Sequence, residues 1–195
     1  MKIVFSALMA FALIGGSMAQ AQAPQGDPQG RPGGGPGGPG GPGGPGGPRM
    51  PEVVAPSIPI DVAVAAAKAA QAACAGFHFG VAILDQSGQP KLYYNLDGAA
   101  GSHAARAAGK ASAALLINGP SEGLNDRAAA DPAIADKVKA AKDSGKPLMA
   151  MAGGLPIVVN GQALGAIGVS GAEPGGHDKE CATAAMKTIQ DQMSK

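Results

Sequence analysis

The chain carries three histidines, His78, His103 and His177, and they are its best metal donors. A neutral imidazole can bind a metal through one ring nitrogen while the other is held by a hydrogen bond. His103 has the richest surroundings. Arg106 and Lys110 follow it at spacings of three and seven, so on a helix all three share one face. A metal donor flanked by two cations would suit a metal-bearing group that also carries carboxylates, since the cations can pair with them. The plainer alternative for the same residues is a solvated basic face on a helix that packs with its other side.

The remaining candidates are weaker. His177 stands beside Asp178 where the last helix should begin, so Asp178 reads as a helix cap and His177 as a surface residue. His78 falls on a strand, on the face opposite Phe77 and Phe79. Met149 and Met151 alternate among apolar neighbours and read as core. Tyr93 and Tyr94 put rings on opposite strand faces, one toward the core and one free to meet a partner subunit or a flat ligand. Gly153–Gly154 and the loop from Gly171 to Gly176 would let a ligand approach the backbone. No phosphate loop, dinucleotide fingerprint, nucleophile elbow, zinc spacing or Ser/His/Asp arrangement is evident. Ser170 reads as a strand end, not a nucleophile.

These residues need elements to position them. Ser57 is a good N-cap, and Ala-rich residues 61–74 read as a helix closed by Gly76. Residues 77–84 alternate as a strand, residues 86–89 turn, and 91–96 return as a second strand. Residues 102–117 form the helix that carries His103, stopped by Asn118-Gly119-Pro120. Asp131 caps a further helix that has Pro132 at its first position and runs to Asp143. Three short apolar runs follow at 148–152, 155–159 and 163–170, the last two joined by Asn160-Gly161, a strong hairpin signal. A final helix runs from about 177 to 192. Strands joined by tight turns, with helices around them, imply an α+β fold with an antiparallel sheet.

The N-terminal quarter is of another kind. Lys2 precedes an apolar run from Ile3 to Ile14, then Gly15-Gly16 and small residues that suit cleavage, so residues 1–21 read as an export signal. Residues 22–51 are nearly all Gly, Pro and Gln and read as a disordered linker. Residues 52–195 remain for one domain. With signal removal no apolar segment long enough to span a bilayer is expected, which places the mature protein in a periplasm or outside the cell. Lys and Arg total 15 against 14 for Asp and Glu, a net charge of +1. That balance argues against a nucleic-acid binder and against a polybasic membrane-surface protein. Aromatics are only 3 %, with no Trp, so the core must be aliphatic and Ala-rich. Cys74 and Cys181 form an even pair in an oxidising compartment, which favours a disulfide. Two separate buried thiols remain the other reading.

Three segments resemble the GlcG/HbpS-like family, the heme-binding or heme-degrading domain family. The first is Gly153-Gly154-Leu155-Pro156-Ile157-Val158-Val159-Asn160-Gly161-Gln162, continuing through Leu164-Gly165-Ala166-Ile167-Gly168-Val169-Ser170-Gly171-Ala172. The second is Asp178 with Cys181-Ala182. The third is Asp97-Gly98-Ala99 with Lys110-Ala111. The likeness runs from about Ile58 to Gln192. It implies a profilin-like fold with a five-stranded antiparallel sheet and helices on its faces, and assembly into homo-oligomers. It implies heme, or a related tetrapyrrole, as the ligand, with His103 as the iron ligand and Arg106 and Lys110 beside its propionates. His is an established axial donor to heme iron. Two positions depart from exported relatives: His103 stands one residue out of their spacing to Lys110, and Ala113 replaces a Thr. Sequestration of heme and a weak heme-degrading activity both follow from the resemblance. An accessory or sensory protein that binds another exported protein or a corrinoid is the alternative.

Overall fold

The computed structural model describes residues 56–173 and 176–194. The export segment 1–21 and the linker 22–51 lie outside the described residues. No helix among the described residues is long and apolar enough to cross a membrane.

In chain order the elements are α1 (Ile60–Ala73), β1 (Gly80–Asp85), β2 (Pro90–Asn95), α2 (His103–Ile117), α3 (Leu124–Ala130), α4 (Pro132–Asp143), β3 (Gly154–Val159), β4 (Gln162–Ser170) and α5 (Asp178–Met193). A 3-10 turn at Ser121–Gly123 leads into α3. The strands form one sheet in the order β2-β1-β4-β3. Every neighbouring pair is antiparallel. The β3–β4 hairpin turns on Asn160 and Gly161, both with positive φ, as a type I′ connection requires.

The sheet has four strands, not the five expected. Residues 148–152 are the missing strand. Their apolar alternation suits a ladder, but their backbone groups are taken elsewhere. Met149 donates its N–H to the Gly109 carbonyl on α2 at 3.0 Å. The Ser121 hydroxyl donates to the Met151 carbonyl at 2.5 Å. Gly109 permits this approach, because a Cβ there would stand 3.3 Å from Met149 Cβ. The segment therefore runs along α2 instead of joining the sheet edge.

The two faces of the sheet pack differently. On one, Val81, Ile83, Ile157, Ile167 and Val169 bury against Ala63, Ala66 and Ala70 of α1 and Ala182, Ala185 and Ile189 of α5. Cys74 and Cys181 are joined there, with Cα atoms 5.8 Å apart, tying α1 to α5. On the other face Ala82, Leu84 and Ala166 meet Ala107, Ala108, Ala111 and Ala114 of α2. That helix lies almost on the backbone of the sheet. A Cβ on Gly168 would fall on the Ala107 carbonyl oxygen, and one on Gly154 would fall on the Lys110 carbonyl.

Local expectations shift in two places. The first strand begins at Gly80, so Phe77 and His78 precede it. Helix α1 is entered through Pro59, and Ser57 does not cap it. Asp131 does cap α4, accepting from the Ala133 N–H at 2.9 Å with Pro132 behind it.

Candidate functional site

The structure splits the expected His103, Arg106 and Lys110 trio. His103 opens α2 at the rim of the sheet and is half-buried. Arg106, one turn later, is half-buried. No salt bridge to it is present among the described residues. Lys110 does not reach that surface. It is only 1 % exposed, and its Nζ sits 2.6 Å from Asp178 Oδ2. Asp178 is thus not the cap expected of it. Its second oxygen, Oδ1, accepts the Ala172 N–H at 2.8 Å. The pair links the middle of α2, the start of α5 and the strand end before it. A lone charge at this depth would be costly, so each group requires the other.

The first turn of α2 is capped from outside the helix. Ser102 makes no side-chain cap; Asn95 Oδ1 at the end of β2 accepts the Ala104 N–H at 3.0 Å. This holds the His103 backbone against the sheet. The ring is held as well. His103 Nδ1 lies 3.2 Å from the His78 carbonyl oxygen. A carbonyl can only accept, so Nδ1 carries a proton, and in the neutral ring Nε2 is the lone-pair nitrogen. Gly171 makes room for the ring. Its φ is +112°, and a Cβ there would occupy the space of the His103 imidazole. Any side chain at 171 would both strain the backbone and evict the ring.

The other two histidines gather at the same rim. His78 Nδ1 lies 2.7 Å from the Asp97 carbonyl oxygen, so its Nε2 is also the free acceptor. His78 is exposed. His177 packs on Phe77 with ring centroids 4.9 Å apart, and its Nδ1 is 2.8 Å from Glu180 Oε2. The segment at 77–78 therefore touches both other histidines, one through the Phe77 ring and one through the His78 carbonyl. Among the described residues no group of three His, Cys, Asp or Glu side chains could hold a metal ion together. The rim offers single imidazole donors instead.

The sequence singled out the three histidines one by one; neither their gathering at one rim nor their partners was expected. Nothing local ties Lys110 to Asp178, which is 68 residues away. Ser121 was also missed. It is fully buried, and its hydroxyl accepts the Gly154 N–H at 2.9 Å, joining the 3-10 turn to the first residue of β3. Ser170 ends β4 as expected. Its hydroxyl is buried without a hydrogen-bond partner among the described residues, and no base is placed against it.

Taken together, an antiparallel sheet between two helical layers, with imidazole donors on one rim, defines a class of α+β ligand-binding domain. The chain belongs to the HbpS-like family (haem degrading protein HbpS-like), whose model matches residues 58–187. Among solved structures it is similar to a double mutant of HbpS from Streptomyces reticuli. That match has 29 % identity and a TM-score of 0.59, covering 73 % of this chain and 94 % of the other. It is also similar in fold to the ORFY protein of Klebsiella pneumoniae, at 20 % identity and TM-score 0.58, covering 72 % and 96 %. A PduOC–heme complex shares the fold at 18 % identity and TM-score 0.56, covering 68 % and 95 %. No curated protein matches the chain.

Proposed function

We propose that the protein is an exported heme-binding protein, in which His103 ligates the iron and Arg106 pairs with a propionate. The observation that carries this reading is the His103 ring itself. Its Nδ1 is fixed on the His78 carbonyl, leaving Nε2 as the lone-pair nitrogen, and Gly171 leaves space for it. A histidine whose second nitrogen is anchored in this way is oriented for ligation. Family membership and the fold shared with a heme complex support the choice of heme over another metal-bearing group. Lys110 takes a different role from the one its spacing suggests. Its ammonium is committed to Asp178, so it positions the segment 171–172 just after β4, which borders the His103 ring.

The role is binding and sequestration. Residues 1–21 direct export, residues 22–51 act as a spacer, and the domain assembles into homo-oligomers. Intact mass of the protein recovered outside the cytoplasm tests the first statement, and sedimentation tests the last. The central test is titration with ferric hemin, followed by the Soret band, with His103→Ala alongside. A saturable, shifted band is expected, and His103→Ala should lose the shift that marks iron ligation, even where the protein still holds hemin elsewhere. A band unchanged in the variant would discard His103 as ligand, and no saturable band would discard heme.

A further inference from the structure

A cleft of about 640 Å³ opens between the β1–β2 turn, α2, α4 and the segment after α4. It lies away from the histidine rim. Its helical wall is Ala108, Ser112, Leu115 and Leu116 of α2. On a helix of 3.6 residues per turn these occupy the side opposite His103 and Lys110. Leu148 adds to the apolar surface, the buried Leu84 lies behind it, and the exposed Tyr93 ring flanks it. Pro147 and Leu148, in the segment that runs along α2, form part of the cleft wall.

Its charge is one-sided. Lys137 and Lys146 line it, and no Asp or Glu does. Both lysines are exposed, and neither takes part in a salt bridge among the described residues. Both come from the same side, one on α4 and one just after it. The volume falls within the range of small-molecule sites, and the lining has the usual form of apolar walls with a few polar anchors. Tyr93 offers a flat face for ring stacking.

We infer that this cleft is a second ligand site, for a flat apolar molecule bearing carboxylates, with Lys137 and Lys146 holding the anionic end and Tyr93, Leu115 and Leu116 the ring. The site needs no metal, so it stands apart from the His103 reading and can fail separately. The probe is protoporphyrin IX without iron, followed by fluorescence on the purified protein. Saturable binding is expected, weakened at least tenfold in Lys137→Glu/Lys146→Glu, abolished in Ala140→Trp, which fills the cleft from α4, and unchanged in His103→Ala. These are surface changes, and an unchanged melting temperature would verify the fold. Porphyrin binding lost in His103→Ala would overturn the inference, because the ring would then sit at the rim. Binding indifferent to both cleft variants would overturn it too, as would no saturable binding. Laurate, a chain carboxylate, should not displace the porphyrin at equal concentration; if it does, the flat-ring assignment is wrong. Hemin retained in His103→Ala but lost in Ala140→Trp would sink the rim reading and support the cleft.

Discussion

The two faces of the sheet reach the same burial by opposite means. Against α1 and α5 the strands present Val and Ile, and a covalent bond joins the helices above them. Against α2 they present Ala and Gly with a single Leu, Leu84, and the helix backbone rests on the strand backbone. The first face is built from side-chain volume, which supplies most of the apolar burial. The second is built from its absence. A helix seated on glycines has little freedom to slide, so the face poorer in side chains is the one suited to hold His103 in a defined place. The Lys110–Asp178 pair locks that seat to the far layer.

The largest expected effect breaks the first face. Cys74→Ala/Cys181→Ala removes a cross-link between residues 107 apart, which the loop-entropy account values at about 4.7 kcal/mol. Thermal melting should show the loss. Hydrogen exchange should speed up in α1 and α5 more than in α2, keeping the damage on one face. Alkylation without reductant should add no mass to the wild type; two modified thiols would show that the cross-link is absent in solution. Next comes the lock. Lys110→Met strands the Asp178 carboxylate at a buried site, at a cost of about 3 to 5 kcal/mol. Pairing it with Asp178→Leu should recover part of that loss, because the stranded charge is then gone. A single-variant loss below about 1 kcal/mol would mean that the glycine seat holds α2 without the lock.

Much of this contrast was legible in the sequence, and the illegible part has a common cause. The Asn160-Gly161 hairpin, the Asp131-Pro132 helix start and the Ala-rich helices read at 61–74 and 102–117 are local signals, and the structure bears them out. The four-strand count was not legible. Residues 148–152 alternate like a strand, but their partners, Gly109 and Ser121, lie in other elements. Helix α3 was missed because Asn118-Gly119-Pro120 reads as the end of helical structure, whereas the chain re-enters a helix only a few residues later. Lys110 was placed on the right helix and near His103, yet its role was misread because Asp178 is distant in sequence. Glycine inside a strand, as at Gly165 and Gly168 of β4, marks close backbone approach, and Gly168 is where that approach is tightest. In each case propensity was visible and the hydrogen-bond partner was not.

A sharper test compares neighbours on one strand. Ile167 and Gly168 are adjacent on β4 and point to opposite faces. Gly168→Ala adds one methyl beneath α2 and should cost about 1 to 3 kcal/mol through overpacking. Ile167→Val removes one methylene from the aliphatic face and should cost about 0.5 to 1.5 kcal/mol. If the addition costs less than the deletion, α2 can shift outward and the glycine seat is not rigid. The hemin titration discriminates further: Gly168→Ala should weaken binding through His103, while Ile167→Val should leave it unchanged.

The smallest effect lies at the partly exposed Glu122–Lys179 pair. Burial alone would raise the Glu122 carboxyl, but the hydrogen bond from Lys179, a backbone hydrogen bond and the charges of Lys179 and Lys110 outweigh it and hold it below 4.5. Lys179 Nζ stands 2.7 Å from Glu122 Oε1. A carboxyl lowered in the folded state binds fewer protons there than in the unfolded chain, so it stabilises the fold above its unfolded value. That contribution fades as pH falls below 4.5 and through the lower folded value. Wild type should therefore exceed Glu122→Gln in stability at neutral pH, by a margin reduced by solvent screening, because the side chain is 35 % exposed. The margin should shrink on acidification and vanish once both folded and unfolded carboxyls are protonated. A margin constant from neutral to acid pH would mean that the variant differs through packing, and that the Lys179 charge does not stabilise the Glu122 carboxylate.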